Sequence, residues 1–135
     1  MVIKAGISLP DDMYRELQDL SLKLGYPSLS SVARDAIELF IAFRRWWIIG
    51  GPIAGTFQIL FKEKKFTVGR HLLRLEIKYK DAIRGSIEIS YPNNIFLHIV
   101  ILHGDGSRIK RFYKELIKIS GIIVIQPSLF PLQEK

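Results

Sequence analysis

Apolar and polar side chains alternate at the start of the chain, with Ala5, Ile7 and Leu9 set against Lys4, Gly6 and Ser8. Period two is the signature of a half-buried strand, and Pro10 ends it. The period then becomes helical. Asp11 and Asp12 suit the positive end of a helix dipole, and Met13, Leu17, Leu20 and Leu24 recur on one face. Gly25 stands where such a helix stops. Ser30 is the expected N-cap of a second helix, whose Val32, Ala33, Ala36, Ile37, Phe40 and Ile41 make a wide apolar stripe. Gly50, Gly51 and Pro52 then predict a turn or hinge. The Trp46–Trp47 pair beside it is expected to pack at the junction rather than to stack on a ligand.

The second half changes period repeatedly. Ile53–Phe61 reads as a strand, Thr67–Arg84 as a helix with Val68, Leu72, Leu75, Tyr79 and Ile83 on one face, and Gly85–Tyr91 as an alternating strand. Pro92-Asn93-Asn94 is a turn, and Ile95–Leu102 is apolar enough for a sheet centre. A helix from Gly106 to Ser120 follows, and Ile122–Ile125 closes the sheet before a Pro-rich tail. This β-α-β-β-α-β order is that of a ferredoxin-like split β-α-β fold, so the chain belongs to the α+β class. The expected divisions are an N-terminal unit over 1–46, a linker over 47–53 and a second domain over 54–129.

One short strand cannot stand alone, and a unit as small as the first cannot bury its own apolar surface. An intertwined dimer solves both problems. Two copies of the strand pair antiparallel, Ala5, Ile7 and Leu9 face the helices, and Lys4, Gly6 and Ser8 lie outward. Such a two-stranded ribbon fits a DNA major groove.

Composition narrows the function. The chain is 48% hydrophobic, which suffices for a core. The longest apolar stretches, Trp46–Gly55 and Ile95–Leu102, fall far short of the roughly 20 residues of a spanning helix. The amino terminus has no apolar signal region, so a soluble cytoplasmic protein is expected, with no membrane partner. There is no cysteine, which excludes disulfides, thiolate zinc sites and thiol catalysis. With no Gly-rich phosphate loop and no convergent acid–base pair, an enzyme is not expected. The net charge of +7 is uneven. Residues 1–45 carry six basic and six acidic side chains, leaving the surplus to the second half.

The phrases ISLPDDMYRELQDLSLKLGY and SSVARDAIELF resemble the ribbon-helix-helix pattern. The later phrases IAGTFQILF, KYKDAI, HIVILHGD and RIKRFYKELIKISGI resemble the ACT-like half of the NikR family. Together they cover about residues 5–128, and the resemblance implies a nickel-responsive DNA-binding regulator, dimeric through its ribbon and tetrameric through its ACT-like domains. It puts base-reading positions at Lys4, Gly6 and Ser8. Phosphate contacts fall on the backbone amides of Ser30, Ser31 and Val32, and on the loop lysines Lys62, Lys64 and Lys65. Gly6 has no side chain to read a base, which makes sequence specificity weak or dependent on DNA shape.

The resemblance also implies a square-planar nickel site of three histidines and one cysteine. Here those positions hold Ile77, Glu88, Ser90 and Phe96. A second cation position falls on Ser31 and Asp35, of which only the acid is a good ligand. No metal and no other cofactor is therefore expected. His98 and His103 lie five apart on one strand, on opposite faces, and cannot chelate together. They and His71 are expected to be packed or surface residues. The preferred function is a repressor-type transcription regulator that binds double-stranded DNA without answering to nickel. The competing one is an ACT-type small-molecule sensor or assembly protein whose first domain only dimerises. Its effector would occupy an apolar pocket edged by Glu88, Ser90 and Tyr79.

Overall fold

The computed structural model describes residues 1–132 and divides into two compact units, Met1–Ile41 and Ala42–Lys135. The first unit opens with residues 1–10, which form no strand within the chain. The alternating pattern is present, but among the described residues no segment of the same chain pairs with it, and a strand exists only when paired. Helix α1, Asp11–Lys23, follows. It closes as a Schellman motif: Gly25 takes φ +77°, its amide donates to Leu22, and the Tyr26 amide donates to Ser21.

Helix α2, Leu29–Ile48, starts two residues earlier than Ser30 capping predicts. Ser28 is the cap. Its hydroxyl accepts the Ser31 amide at 3.2 Å, and the Ser31 hydroxyl lies 3.3 Å from the Ser28 amide, a reciprocal box built from serines. The last turn of α2 belongs to the second unit, because Trp46 is fully buried in that unit's core.

The second unit contains β1 (Pro52–Lys62), α3 (Val68–Lys78), β2 (Ile83–Tyr91), β3 (Ile95–Asp105), α4 (Gly106–Leu116) and β4 (Ile122–Pro131). The sheet order is β2-β3-β1-β4 with every pairing antiparallel, the ferredoxin-like arrangement. Alternation assigns the faces. Ile53, Phe57, Ile59 and Phe61 of β1 and Val100 and Leu102 of β3 are buried, together with Val68, Leu72 and Tyr79 from α3 and Ile109, Phe112 and Leu116 from α4. The opposite face leaves Ile87, Ile89, Ile101, Val124 and Phe130 exposed.

Two boundaries differ from the periodicity. The helix expected to reach Arg84 stops at Lys78; a 3₁₀ turn over Lys80–Ala82 follows, and Ile83 already pairs with Leu102. Ile83 keeps the helical spacing only because strand and helix both turn it inward. The final strand runs beyond Ile125 to Pro131, taking in most of the expected tail; residues 133–135 lie outside the described residues. Pro127 is tolerated because β4 is an edge, where a missing N–H costs no ladder bond. The β1–β4 approach is close at Gly55 (φ +148°), where a Cβ would sit 2.1 Å from the Ser128 carbonyl oxygen.

Candidate nucleic-acid interface and regulatory positions

In the first unit, Ala5, Ile7 and Leu9 line a hollow of about 330 Å³ with Tyr14, Leu17, Leu29, Ser30 and Ala33. The alternate residues Lys4, Gly6 and Ser8 are absent from that lining and exposed. At the head of α2 the Ser31 amide is taken by Ser28 Oγ, and the Val32 amide reaches the Ser28 carbonyl at 3.4 Å. Of these three amides only that of Ser30 has no acceptor among the described residues. Asp35 accepts a hydrogen bond from the Tyr26 hydroxyl, and Ser31 is committed to Ser28, so this pair is organised as a structural network. The Asp35 bond, with its negative charge, pushes the Tyr26 hydroxyl above its ordinary pKa.

The loop between β1 and α3 is held by a residue that the charge pattern did not single out. The Glu63 carboxylate accepts the amides of Thr67 (3.2 Å), Val68 (2.6 Å) and Gly69 (3.1 Å), while its own amide donates to the Asn94 carbonyl at 3.0 Å. Lys62, Lys64 and Lys65 flank it, all exposed. Glu63 fills the anion-attracting N-terminus of α3, so any phosphate at this loop must be met by lysine ammonium groups alone.

The positions that the resemblance gives to nickel hold no histidine or cysteine. Ile77 projects from α3 at 63% exposure and Phe96 stacks on Phe61 with ring centroids 5.3 Å apart; neither side chain has a donor atom. Ser90 pairs with Phe96 across the β2–β3 ladder and offers only a weakly coordinating hydroxyl. Glu88 is engaged elsewhere. These four side chains include none of the imidazole and thiolate donors that nickel prefers. Among the described residues no group of three His, Cys, Asp or Glu side chains is placed to hold a metal. Tyr79 is buried against Phe112, and its hydroxyl donates to Glu115, so it does not edge an open pocket with Glu88 and Ser90.

Glu88 lies opposite His98 in the β2–β3 ladder and meets its Nδ1 at 3.1 Å, while Glu76 of α3 meets Nε2 at 3.1 Å. His98 is only 8% exposed. A neutral imidazole has one N–H, so carboxylates on both nitrogens require the imidazolium. Burial alone would lower the His98 pKa, but hydrogen bonds and charge from Glu76 and Glu88 outweigh it and raise the value above 6.5. A histidine whose folded pKa is raised contributes stability that is complete below the unfolded value and is lost as pH climbs through the folded one. Urea melts should therefore show the protein weakening on the alkaline side of pH 6.5, and Glu76→Gln should flatten that slope. An unchanged slope in Glu76→Gln would show that His98 is not its source. His71 is exposed on α3. His103 lies on the face opposite His98, with the Arg84 guanidinium donating to its Nδ1 at 2.9 Å.

The basic residues of α4 separate into two groups. Arg108 is used structurally: it reaches Asp81 at 3.2 Å, donates to the Lys78 carbonyl at 2.9 Å and covers the Tyr79 ring. Lys110 and Lys114 both stand over Trp47, 5.2 and 5.7 Å from its centroid. Glu115 is held below the usual carboxylate range, first by Lys78 and then by the Tyr79 hydroxyl.

Comparison with known proteins agrees with this architecture. The model of the NikR C-terminal nickel-binding domain matches residues 54–129. A relative from Methanosarcina mazei, named as nickel-responsive regulator 2, is 28% identical over 122 residues, covering 90% of this chain and 87% of that one. A nickel-responsive regulator by name from Methanococcoides burtonii is 27% identical over 135 residues, covering 99% and 96%. An uncharacterized protein of Thermotoga maritima shares the fold over 63% of this chain and all of its own (TM-score 0.50, 16% identity). No described helix is long and apolar enough to cross a membrane. The chain belongs to the family defined by the NikR C-terminal domain.

Proposed function

We propose that this protein is a DNA-binding transcription regulator of the NikR type that works without nickel. The observation that carries the reading is the split of the first residues, with Ala5, Ile7 and Leu9 turned into the helix-lined hollow and Lys4, Gly6 and Ser8 turned out. A second copy of the chain would fill the hollow and pair with the strand, forming a ribbon-helix-helix dimer whose outward side chains enter a major groove. The exposed apolar stripe of both helices supports this: Met13, Leu20, Ile37 and Ile41 are each 49–56% exposed in the single chain. The open sheet face with Ile87, Ile89 and Phe130 supports a further contact between copies and hence a tetramer.

The first unit, Met1–Ile41, holds more acidic than basic side chains, so most of the phosphate attraction must come from elsewhere, and the pinned lysine loop is suited to it. Replacing Lys62, Lys64 and Lys65 with alanine is expected to weaken binding to all duplexes alike. The log–log salt slope should fall by up to about 3, at roughly 0.9 per lost phosphate contact. Fluorescence anisotropy at several salt concentrations checks it; an unaltered slope would remove the loop from the interface. The nickel half of the reading rests on the donor set, since Ile77 and Phe96 cannot coordinate and Glu88 is tied to His98.

A second reading draws on Gly6 and the even charge of residues 1–45: an ACT-type sensor or assembly protein whose N-terminal unit only dimerises. It predicts a stable dimer with no measurable affinity for duplex DNA at moderate salt.

A further inference from the structure

The outer helix layer of the second unit is strongly basic, and its acids are already matched. Glu76 faces His98, Asp81 holds Arg108, and Glu115 accepts from Lys78 at 2.7 Å and from Tyr79. The side chains of Arg74 and Lys118 make no hydrogen bond or ion pair among the described residues, although the Lys118 charge helps to hold Glu115 ionised. Both line a groove of about 490 Å³ between α3 and the exit of α4. His71 stands on the same rim, Leu75 and Ile119 are half-buried in its lining, and the Ser120 hydroxyl completes it. The volume lies within the range of small-molecule sites, roughly 300–1,000 Å³, and the mixture of apolar surface with a few convergent polar groups is what such sites use.

We propose that this groove binds a small organic anion, its carboxylate or phosphate held between Arg74 and Lys118 and its apolar part lying over Leu75 and Ile119. The only carboxylate in the lining is Glu115, whose charge is balanced by Lys78, so an entering anion meets a net positive site. An Arg–Lys pair grips carboxylate and phosphate alike through charge-assisted hydrogen bonds. The groove joins the two helices that cover the sheet, so an occupant would tie α3 to α4 and stiffen the domain. Binding stands on the groove alone. Its use as an effector site, in place of metal, rests on the regulator reading.

The test is calorimetric titration of the full chain with adenosine monophosphate for the phosphate arm and phenylacetate for the carboxylate arm. Uncharged adenosine, at matched ionic strength, is the control. At least one anion should bind saturably at millimolar concentration or below, and adenosine should not. Arg74→Ala and Lys118→Ala should each weaken that binding about tenfold or more, the loss of one charge-assisted bond. Lys110→Ala, on α4 but outside the groove, should leave it unchanged. No saturable binding of either anion overturns the proposal, as does equal binding by all three variants. Loss of DNA affinity in Arg74→Ala and Lys118→Ala without any small-anion binding would also overturn it, and would make the patch a phosphate-backbone contact instead. None of these outcomes depends on whether the N-terminal unit binds DNA.

Discussion

Replacing Ile7 with aspartate should separate the N-terminal dimer and lower DNA affinity by a factor on the order of 10³, the gap between specific and non-specific binding. In the single chain Ile7 is 77% exposed, and a charge there would look harmless. Yet its neighbours in the lining of the hollow are Leu17, Leu29 and Ala33, and the ribbon partner would close over it. An unpaired carboxylate in such an interface costs several kcal/mol, roughly what a small dimer of this kind has to spare. Lys4→Ala is the matched control, because Lys4 lies outward and its loss should weaken DNA binding while leaving the dimer intact. Sedimentation and anisotropy read the two effects separately. An Ile7→Asp protein that remained dimeric through its first unit would sink the ribbon arrangement.

Trp46→Ala is expected to cost about 3–5 kcal/mol of stability, the range for emptying a large aromatic from a core. Trp46 is wholly buried, edge-on to Trp47 at 5.1 Å and to Tyr113 at 6.1 Å. Its Nε1–H is buried without an acceptor among the described residues, so the indole nitrogen contributes no hydrogen bond to lose. Trp46→Phe should therefore be much milder than Trp46→Ala, since it keeps most of the apolar volume and removes an unsatisfied donor. Urea melts followed by circular dichroism compare the two. Equal losses in both variants would mean that the nitrogen has a partner after all.

The sequence was most legible where one physical requirement dominated. The β-α-β-β-α-β order could be read because each strand and helix shows its own period and because turn residues such as Asn93 and Asn94, at φ 68° and 60°, separate them. Boundaries failed where two periods agree: Ile83 fits the helical face and the strand equally well. The extent of β4 was hidden by Pro127 and Pro131, which suggest a tail unless the strand is known to lie at an edge. The inward turn of Ala5, Ile7 and Leu9 followed from alternation. Residues 1–10 form no strand in the single chain, and in the proposed dimer a second copy would supply the hydrogen bonds.

The candidate sites were harder to read. Lys62, Lys64 and Lys65 are visible as charge, but Glu63 among them looked like one more surface acid until three amides converged on it. The His98 clasp joins residues 10 and 22 positions apart, on β2 and α3, and only the register brings them together. The substitutions at Ile77 and Phe96 needed no structure, because a side chain without a donor atom cannot bind a metal in any fold.

One titration tests both the proposed DNA binding of this family member and its proposed indifference to nickel. Purified protein is added to labelled duplex from upstream of its own gene, with random duplex as competitor, and anisotropy is followed with and without added nickel. Tight, competitor-resistant binding with superimposable curves is the expected result. Binding that tightens with nickel, or no binding at moderate salt, would contradict it.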